Sequence, residues 1–170
     1  RSSVIRNVAS AFDFQLFVPS SWQAEAVRQI EALNIYNPEA PGATNLEKSQ
    51  IFIRYFRGNT FLTLSSVKIL SRKELTVASR PAVDYIIQKK PGYSNFPYQP
   101  SWRNAKHRVI DVRASDTSPS VFYVFAKRPE VDDALFEGIL DTLKISPTPV
   151  PFYPVENFLA GITKKPFGIF

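Results

Sequence analysis

The chain has 170 residues, which is long enough for one domain with its own hydrophobic core. Hydrophobic residues make up 44% and charged residues 21%, a composition that excludes a disordered chain. The formal charge of +6 falls short of the dense basic stripe of a nucleic-acid binder, and the absence of cysteine excludes disulfides, thiolate metal sites and a cysteine nucleophile.

The two ends of the sequence predict that it is part of a longer chain. Methionine is absent, the first residue is Arg1, and the last residues, "TKKPFGIF", stop on an apolar run at Phe170. We therefore expect a segment upstream of Arg1 and a continuation after Phe170. No window of about 18 apolar residues occurs, so no transmembrane segment is expected here, and any signal or anchor would lie upstream.

The first half of the chain predicts strands. Residues 1–11 predict a weakly ordered lead-in, and "FDFQLFVP" then alternates apolar and polar residues as a half-buried strand does. Pro19 ends this strand, and Trp22 is expected to cover the end of the core. The inward face of the strand would hold Phe12, Phe14, Leu16 and Val18.

Two more strands and a short helix are predicted next. The strands would end at Tyr36 and span 49–56, separated by the breaker "NPEAPG". The stretch "RGNTFLTLSSVKIL" favours a short helix capped by Asn59 or Thr60. Its inward side chains would be Leu62, Val67 and Ile69.

Two antiparallel pairs of strands are expected after this helix. The first pair covers about 73–78 and 82–89, with a tight turn at Ser79–Pro81. The second pair consists of "HRVIDVRA" and "SVFYVFAK", joined by the turn-forming stretch "SDTSPS".

An amphipathic helix over 129–145 closes the predicted domain. Pro129 and the acidic residues Glu130, Asp132 and Asp133 suit a helix N-terminus, so we expect these acids to cap the helix rather than bind a cation. The apolar stripe would hold Val131, Leu135, Phe136, Ile139, Leu140 and Leu143. These elements together predict an α+β fold, a mostly antiparallel sheet flanked by helices. The four prolines that follow indicate an extended linker over 146–155.

Three segments resemble the PsbP-like domain family, which shares an α/β/α sandwich with Mog-type proteins. They are "FDFQLFVPSSW", "LTVASRPAVDYIIQ" and "FYVFAKRPEVDDALFEGILDTLKI". The resemblance covers residues 12–145 and implies an extracytoplasmic, non-enzymatic domain, often lipid-anchored or fused to other modules. Photosystem relatives bind metal through histidine and carboxylates, but this chain has only His107, so no metal site or cofactor is carried over.

The tail gives a second resemblance. "ENFLAGITKKPFGIF" is similar to the lead-in of a lysostaphin/LytM-like zinc endopeptidase domain. This implies that residues 156–170 begin a following domain, whose metal ligands would lie downstream. The alternative is a C-terminal latch, with residues 146–170 packing back on the domain.

The sequence gives only weak evidence for a catalytic site. His107 would need an orienting acid and a nucleophile to act as a general base, and Asp111 is too far along an extended strand to be its local partner. We therefore expect a solvated or capping histidine. The serines lack the G-x-S-x-G elbow, and no glycine-rich phosphate loop is present.

The best candidate for binding is the connection over 89–108, which interleaves aromatic and basic residues and is stiffened by prolines. Rigid rings beside cations can stack on sugars while contacting phosphates or carboxylates. The candidate residues are Tyr93, Phe96, Tyr98, Trp102, Arg103, Lys106 and Arg108. Alternatively, the aromatic residues fold back to cap the sheet while the basic residues face water.

These patterns and resemblances together predict a non-catalytic accessory module of a cell-wall metallopeptidase, held at the cell envelope. Its partner would be an anionic cell-wall polymer or an envelope protein. The alternative is a free-standing PsbP-like assembly or ligand-binding protein of the envelope.

Overall fold

The computed structural model describes residues 1–61 and 65–146. Within these ranges the chain forms two antiparallel sheets, the helix α1 (Asp133–Leu140) and a short 3-10 helix (Ser101–Asn104). The strands are β1 (Ser2–Arg6), β2 (Phe14–Pro19), β3 (Gln23–Val27), β4 (Ala32–Tyr36), β5 (Ser49–Gly58), β6 (Val67–Val77), β7 (Arg80–Lys89), β8 (His107–Arg113), β9 (Ser120–Lys127) and β10 (Lys144–Ile145).

The smaller sheet has the order β1-β2-β10. Phe14, Leu16 and Val18 of β2 are buried while Phe17 is partly exposed, as the alternation predicted. Ser2–Arg6 pairs with β2, so the prediction of a weakly ordered lead-in is wrong for these residues. The reason is non-local, because the hydrogen-bond partners of β1 lie on the far side of the turn that precedes β2.

The larger sheet has the order β3-β4-β5-β9-β8-β7-β6, and its two faces are covered differently. The first face packs against β2 and α1, and the second face is covered by connections and by the 3-10 helix. The first-face core includes Leu33, Ile35, Ile51, Ile53, Ile110, Val112, Tyr123 and Phe125. The second-face core includes Phe52, Val83, Tyr85, Ile87, Trp102, Val109, Val124 and Ala126.

The closing helix is shorter than predicted. Phe136, Ile139 and Leu140 are buried as expected, but Leu135 is 40% exposed and lies off the apolar stripe. The helix ends at Leu140 because Lys144 pairs with Gln15 of β2, which requires extended backbone after the helix.

The predicted helix after residue 59 is also wrong where the structure describes this stretch. Val67 and Ile69 begin the strand β6 and pair with Lys89 and Ile87 of β7. Their β-branched side chains favour strands, and pairing with β7 supplies backbone hydrogen bonds that a short helix would have had to make alone. Leu62 lies outside the described residues.

The β6–β7 hairpin turns one residue earlier than predicted, at Ala78 and Ser79, which both have positive φ (53° and 62°). The strand β3 was missed because its "QAEAV" sequence lacks an apolar alternation. The strands β5, β8 and β9 lie where the sequence placed them, whereas β10 lies within the stretch that was predicted as the end of the closing helix.

The prediction of a mostly antiparallel α+β fold is confirmed. The prediction of flanking helices is only partly correct, because α1 is the one α-helix in the described ranges and it lies on the first face. No helix among those ranges is long and apolar enough to cross a bilayer. Apart from Ser146, the predicted linker and the segment 156–170 lie outside the described residues.

Candidate functional site

The connection between β7 and β8 carries the residues predicted to bind, and the structure separates them into an exposed group and a buried group. Tyr93 is 45% exposed and Tyr98 is 54% exposed. Lys90 and Lys106 are also exposed. We call Lys90, Tyr93, Tyr98 and Lys106 the loop surface.

Trp102 and Arg103 belong to the buried group. They lie in the 3-10 helix, and Trp102 packs into the second-face core with its ring edge-on to His107 at a centroid distance of 5.5 Å. The Arg103 backbone N–H donates to the Pro100 carbonyl at 3.0 Å. The sequence placed both side chains on a binding face, but here they anchor the connection to the sheet. For Trp102 this is the alternative of an aromatic residue that caps the sheet, whereas the burial of Arg103 agrees with neither prediction.

The buried Arg103 guanidinium donates its side-chain hydrogen bonds to the neutral groups of Gln99 and His107. Its Nε donates to Gln99 Oε1 at 3.0 Å, and its Cζ lies 6.0 Å from the centre of the half-buried Phe96 ring. Burial, together with repulsion from Arg54, lowers the pKa of Arg103 to about 9. The group therefore keeps its charge at neutral pH and fixes Phe96 and Gln99 on either side of Tyr98.

His107 is buried, so the option of a solvated histidine is wrong, whereas the option of a capping histidine agrees with the contacts of its ring. Its side chain lies 2.8 Å from the Ala105 carbonyl through Nδ1 and 2.7 Å from Arg103 through Nε2. A carbonyl only accepts and a guanidinium only donates, so Nδ1 carries the proton and Nε2 accepts. Burial, followed by repulsion from Arg103, lowers the pKa of His107 to about 3, which keeps the ring neutral.

This geometry gives His107 a positioning role. Both ring nitrogens are committed, so neither is available to accept a proton from a substrate. Ala105 and Arg103 both belong to the connection, while His107 is the first residue of β8. The histidine therefore joins the end of the connection to the sheet.

Arg108 does not belong to the loop surface, because it points to the first face of the sheet. It binds Asp84 through two hydrogen bonds of 2.8 and 3.0 Å and also pairs with Asp133 and Glu137 of α1. The Asp84 hydrogen bonds raise its pKa above the usual arginine value. Its guanidinium also lies 5.5 Å from the Phe136 ring centre, so Arg108 joins the sheet to the helix.

Two further contacts shape the outer part of the connection. Lys89 Nζ donates to the Tyr93 carbonyl at 2.6 Å, and the Phe96 N–H donates to Asn104 Oδ1 at 2.9 Å. Tyr98, between these contacts and the 3-10 helix, has φ of 59°. Bulky residues rarely adopt this left-handed conformation, so the anchors on both sides hold Tyr98 in a strained and exposed position.

The acidic residues at the start of α1 do not cap it through their side chains. Asp132 occupies the N-cap position without a side-chain cap hydrogen bond, while Asp133 pairs with Arg108 and Glu130 pairs with Arg128. Across residues 1–61 and 65–146, no cluster of three histidine or acidic side chains is placed to hold a metal ion.

Sequence reasoning missed a cavity of about 210 Å³ where the two sheets meet. Asp13, Tyr55, Ser115 and Tyr123 contribute to its lining. The Tyr123 hydroxyl accepts from the Asp13 N–H at 3.0 Å, and burial raises the pKa of that hydroxyl. These residues come from distant parts of the chain, so no local motif could have indicated the cavity.

No family model matches the chain, and no curated protein matches it. Among solved structures it is similar to a protein from Bacteroides thetaiotaomicron, with 10% sequence identity and a TM-score of 0.33. The match covers 82% of this chain and 47% of that protein, so the chain spans less than half of its length. We therefore infer function from the geometry of the site.

Proposed function

We propose that this chain is a binding domain of a cell-envelope protein, with no catalytic role of its own, and that its loop surface contacts an anionic wall polymer. The observation that carries this proposal is the display of Tyr98. Its side chain is 54% exposed and its backbone is held at φ 59° by an anchored connection. Strained, exposed residues of this kind cluster at binding sites, because the surrounding structure must be maintained to keep them.

The chemistry of the loop surface suits a polymer with sugars and negative charges. The rings of Tyr93 and Tyr98 can stack on the apolar faces of sugars. Lys90 and Lys106 can contact phosphate or carboxylate groups, and the formal charge of +6 attracts such a polymer over longer distances. Because the connection is already fixed by Trp102 and Arg103, less ordering entropy is lost on binding.

A binding role also agrees with how the potential acid and base groups are used. His107 is held between Ala105 and Arg103, and Arg108 is held between Asp84 and α1. These groups hold the connection and the helix in place, as expected of a scaffold that supports the loop surface.

The cellular context rests on the two resemblances. The PsbP-like one supports an α/β/α sandwich over residues 12–145 and an extracytoplasmic location. The LytM-like one supports a linker over 146–155 followed by the start of a cell-wall peptidase domain. The alternative, a free-standing assembly or ligand-binding protein with a C-terminal latch, is separated by limited proteolysis. Rapid cleavage between Ser146 and Glu156 supports the linker, and resistance supports the latch.

Binding is tested with sedimented wall material and the full 170-residue chain. One sample of wall carries its phosphodiester polymer and a matched sample has been stripped of it. The test variant combines Tyr93→Ser with Tyr98→Asn, because asparagine tolerates the left-handed conformation and should leave the connection folded. The control variant is Phe17→Ser, which removes a partly exposed ring from the outer face of β2.

We expect the wild type and Phe17→Ser to bind unstripped wall and to lose binding as salt rises. The double variant should bind about tenfold more weakly, because two stacking rings are lost and a tenfold change corresponds to about 1.4 kcal/mol. Equal binding of the double variant at unchanged melting temperature would refute the assignment of the loop surface. Equal binding to stripped wall would refute an anionic polymer as the partner.

A further inference from the structure

Among the described residues, 1–61 and 65–146, the strand β6 (Val67–Val77) pairs with β7 alone and leaves one side of its backbone open. It is the last strand of the larger sheet. Every residue from Lys68 to Glu74 is exposed. An edge of this length presents a row of N–H and C=O groups to solvent and is a ready template for another strand.

The turn at the end of β6 determines which backbone groups face outward. Ala78 and Ser79 both have positive φ, which makes a two-residue type I′ hairpin. In such a hairpin the flanking residues, Val77 and Arg80, form a hydrogen-bonded pair. Hydrogen-bonded and non-hydrogen-bonded pairs then alternate along the ladder.

By this alternation, Leu75 and Lys73 direct their backbone groups toward β7. Thr76, Glu74 and Arg72 direct theirs toward the open edge. The position of Pro81 agrees with this assignment, because it lies opposite Thr76, where the ladder needs no N–H from β7.

Two features of β6 restrict which kind of strand can pair with its open edge. A β-bulge between Ile69 and Ser71 interrupts the first part of the strand, and the remainder, Ser71–Val77, pairs in regular register. The exposed side chains are basic at Lys68, Arg72 and Lys73, and the acid Glu74 is already paired with Arg72 at 3.2 Å. An acidic strand would bring opposite charges across the new ladder to the basic side chains, whereas a second copy of this edge would bring both like and opposite charges, since the strand carries Arg72 and Glu74 as well as Lys73.

We propose that the edge Ser71–Val77 captures an extended acidic segment of a partner protein by strand addition. Backbone hydrogen bonds to Arg72, Glu74 and Thr76 supply the affinity, and the exposed basic side chains of β6 select acidic over basic segments. This site lies on a sheet edge and does not depend on the proposed role of the loop surface.

The probes are two acetylated peptides, one alternating glutamate and threonine and one alternating lysine and threonine. They are titrated against the 170-residue chain and two variants by fluorescence anisotropy. Glu74→Pro removes the outward N–H, and Glu74→Ala is the matched control that removes the same carboxylate but keeps the N–H. We expect Glu74→Ala to bind the acidic peptide at least as tightly as wild type, and Glu74→Pro to bind about tenfold more weakly.

Amide hydrogen exchange of the wild-type chain keeps the proposal testable if Glu74→Pro fails to fold. The acidic peptide should slow exchange at Arg72, Glu74 and Thr76 and leave Lys73 and Leu75 unchanged, because their amides already bond to β7. Unchanged exchange at the three outward amides, equal binding of both peptides, or equal binding of both folded variants would overturn the proposal. Self-association of the chain through β6 would overturn the choice of an acidic partner.

Discussion

Replacement of His107 should change how the stability of the fold depends on pH. The ring is 3% exposed, and its pKa in the folded chain is lowered to about 3 from an ordinary value of 6.5. The groups that face it are Arg103, the Ala105 carbonyl, the edge of the Trp102 ring and, at longer range, Lys127. Two of these neighbours are cations, so a charged imidazole is opposed by repulsion as well as by burial.

The lowered pKa of His107 determines whether the free energy of unfolding rises or falls with pH. Between about pH 6.5 and pH 3 the unfolded chain carries a protonated histidine while the folded chain carries a neutral one. The unfolded state therefore binds more protons, and the free energy of unfolding falls as pH falls, by up to about 1.4 kcal/mol per pH unit. From pH 7 to pH 5 the expected loss is about 2 kcal/mol.

Urea unfolding at pH 7, 6 and 5 measures this loss. The chain has one histidine, and the carboxylates with lowered pKa values, Asp116 and Asp133, begin from an ordinary value of 3.8, so this window isolates His107. The perturbation is His107→Gln, whose amide can donate to Ala105 and accept from Arg103 without titrating. The expected result is a wild-type slope that the variant nearly abolishes. Equal slopes in the two proteins would refute the argument that burial and the neighbouring cations keep His107 neutral.

The remaining predictions concern the anchors of the two sheet faces. Arg108→Ala should lower the free energy of unfolding, measured in urea, by about 3 kcal/mol, because it leaves the largely buried Asp84 carboxylate without its two-bond partner. Arg108→Lys should recover less than half of this loss, because lysine lacks the planar fork of arginine. Trp102→Phe should cost less than about 1.5 kcal/mol and Trp102→Ala about 3–5 kcal/mol, because the indole N–H has no partner in the described part of the chain and the ring acts through packing. Phe136→Ala should cost about 3–5 kcal/mol by opening a cavity in the first-face core, and equal losses for Phe136→Leu would contradict that reasoning.

Local patterns in the sequence predicted the strands well where alternation was regular. Phe14, Leu16 and Val18 repeat at spacing two, and their burial follows from that period alone. The helix predicted over 129–145 is wrong at its ends, because these ends depend on contacts that are distant in the sequence. Leu143 fits the apolar spacing of a helix, but the pairing of Lys144 with Gln15 is a contact between residues far apart in the sequence, which no local pattern contains.

The candidate site shows the same difference between what local patterns predict and what depends on non-local contacts. The interleaving of rings and cations singled out the β7–β8 connection as a candidate for binding, and Tyr93, Tyr98 and Lys106 are exposed there. Trp102 and Arg103 have the same residue types as the exposed group, yet they are buried against the second face of the sheet. Composition predicts which chemistry a segment carries, whereas the direction of each side chain depends on the sheet beneath it.

The display of Tyr98 and the anchoring of the connection by Arg103 and His107 are therefore physically linked. Tyr98 can be held at a positive φ only while the residues on both sides of it stay fixed, and one of those anchors is Arg103, whose hydrogen bond to His107 requires a neutral imidazole. Protonation of His107 would replace an acceptor with a second cation beside Arg103 and would weaken the anchor before the strands themselves separate. It follows that the loop surface should lose its affinity for wall polymer at a higher pH than the one at which β-sheet circular dichroism is lost. Coincident loss of both signals would place the connection and the sheet in one cooperative unit.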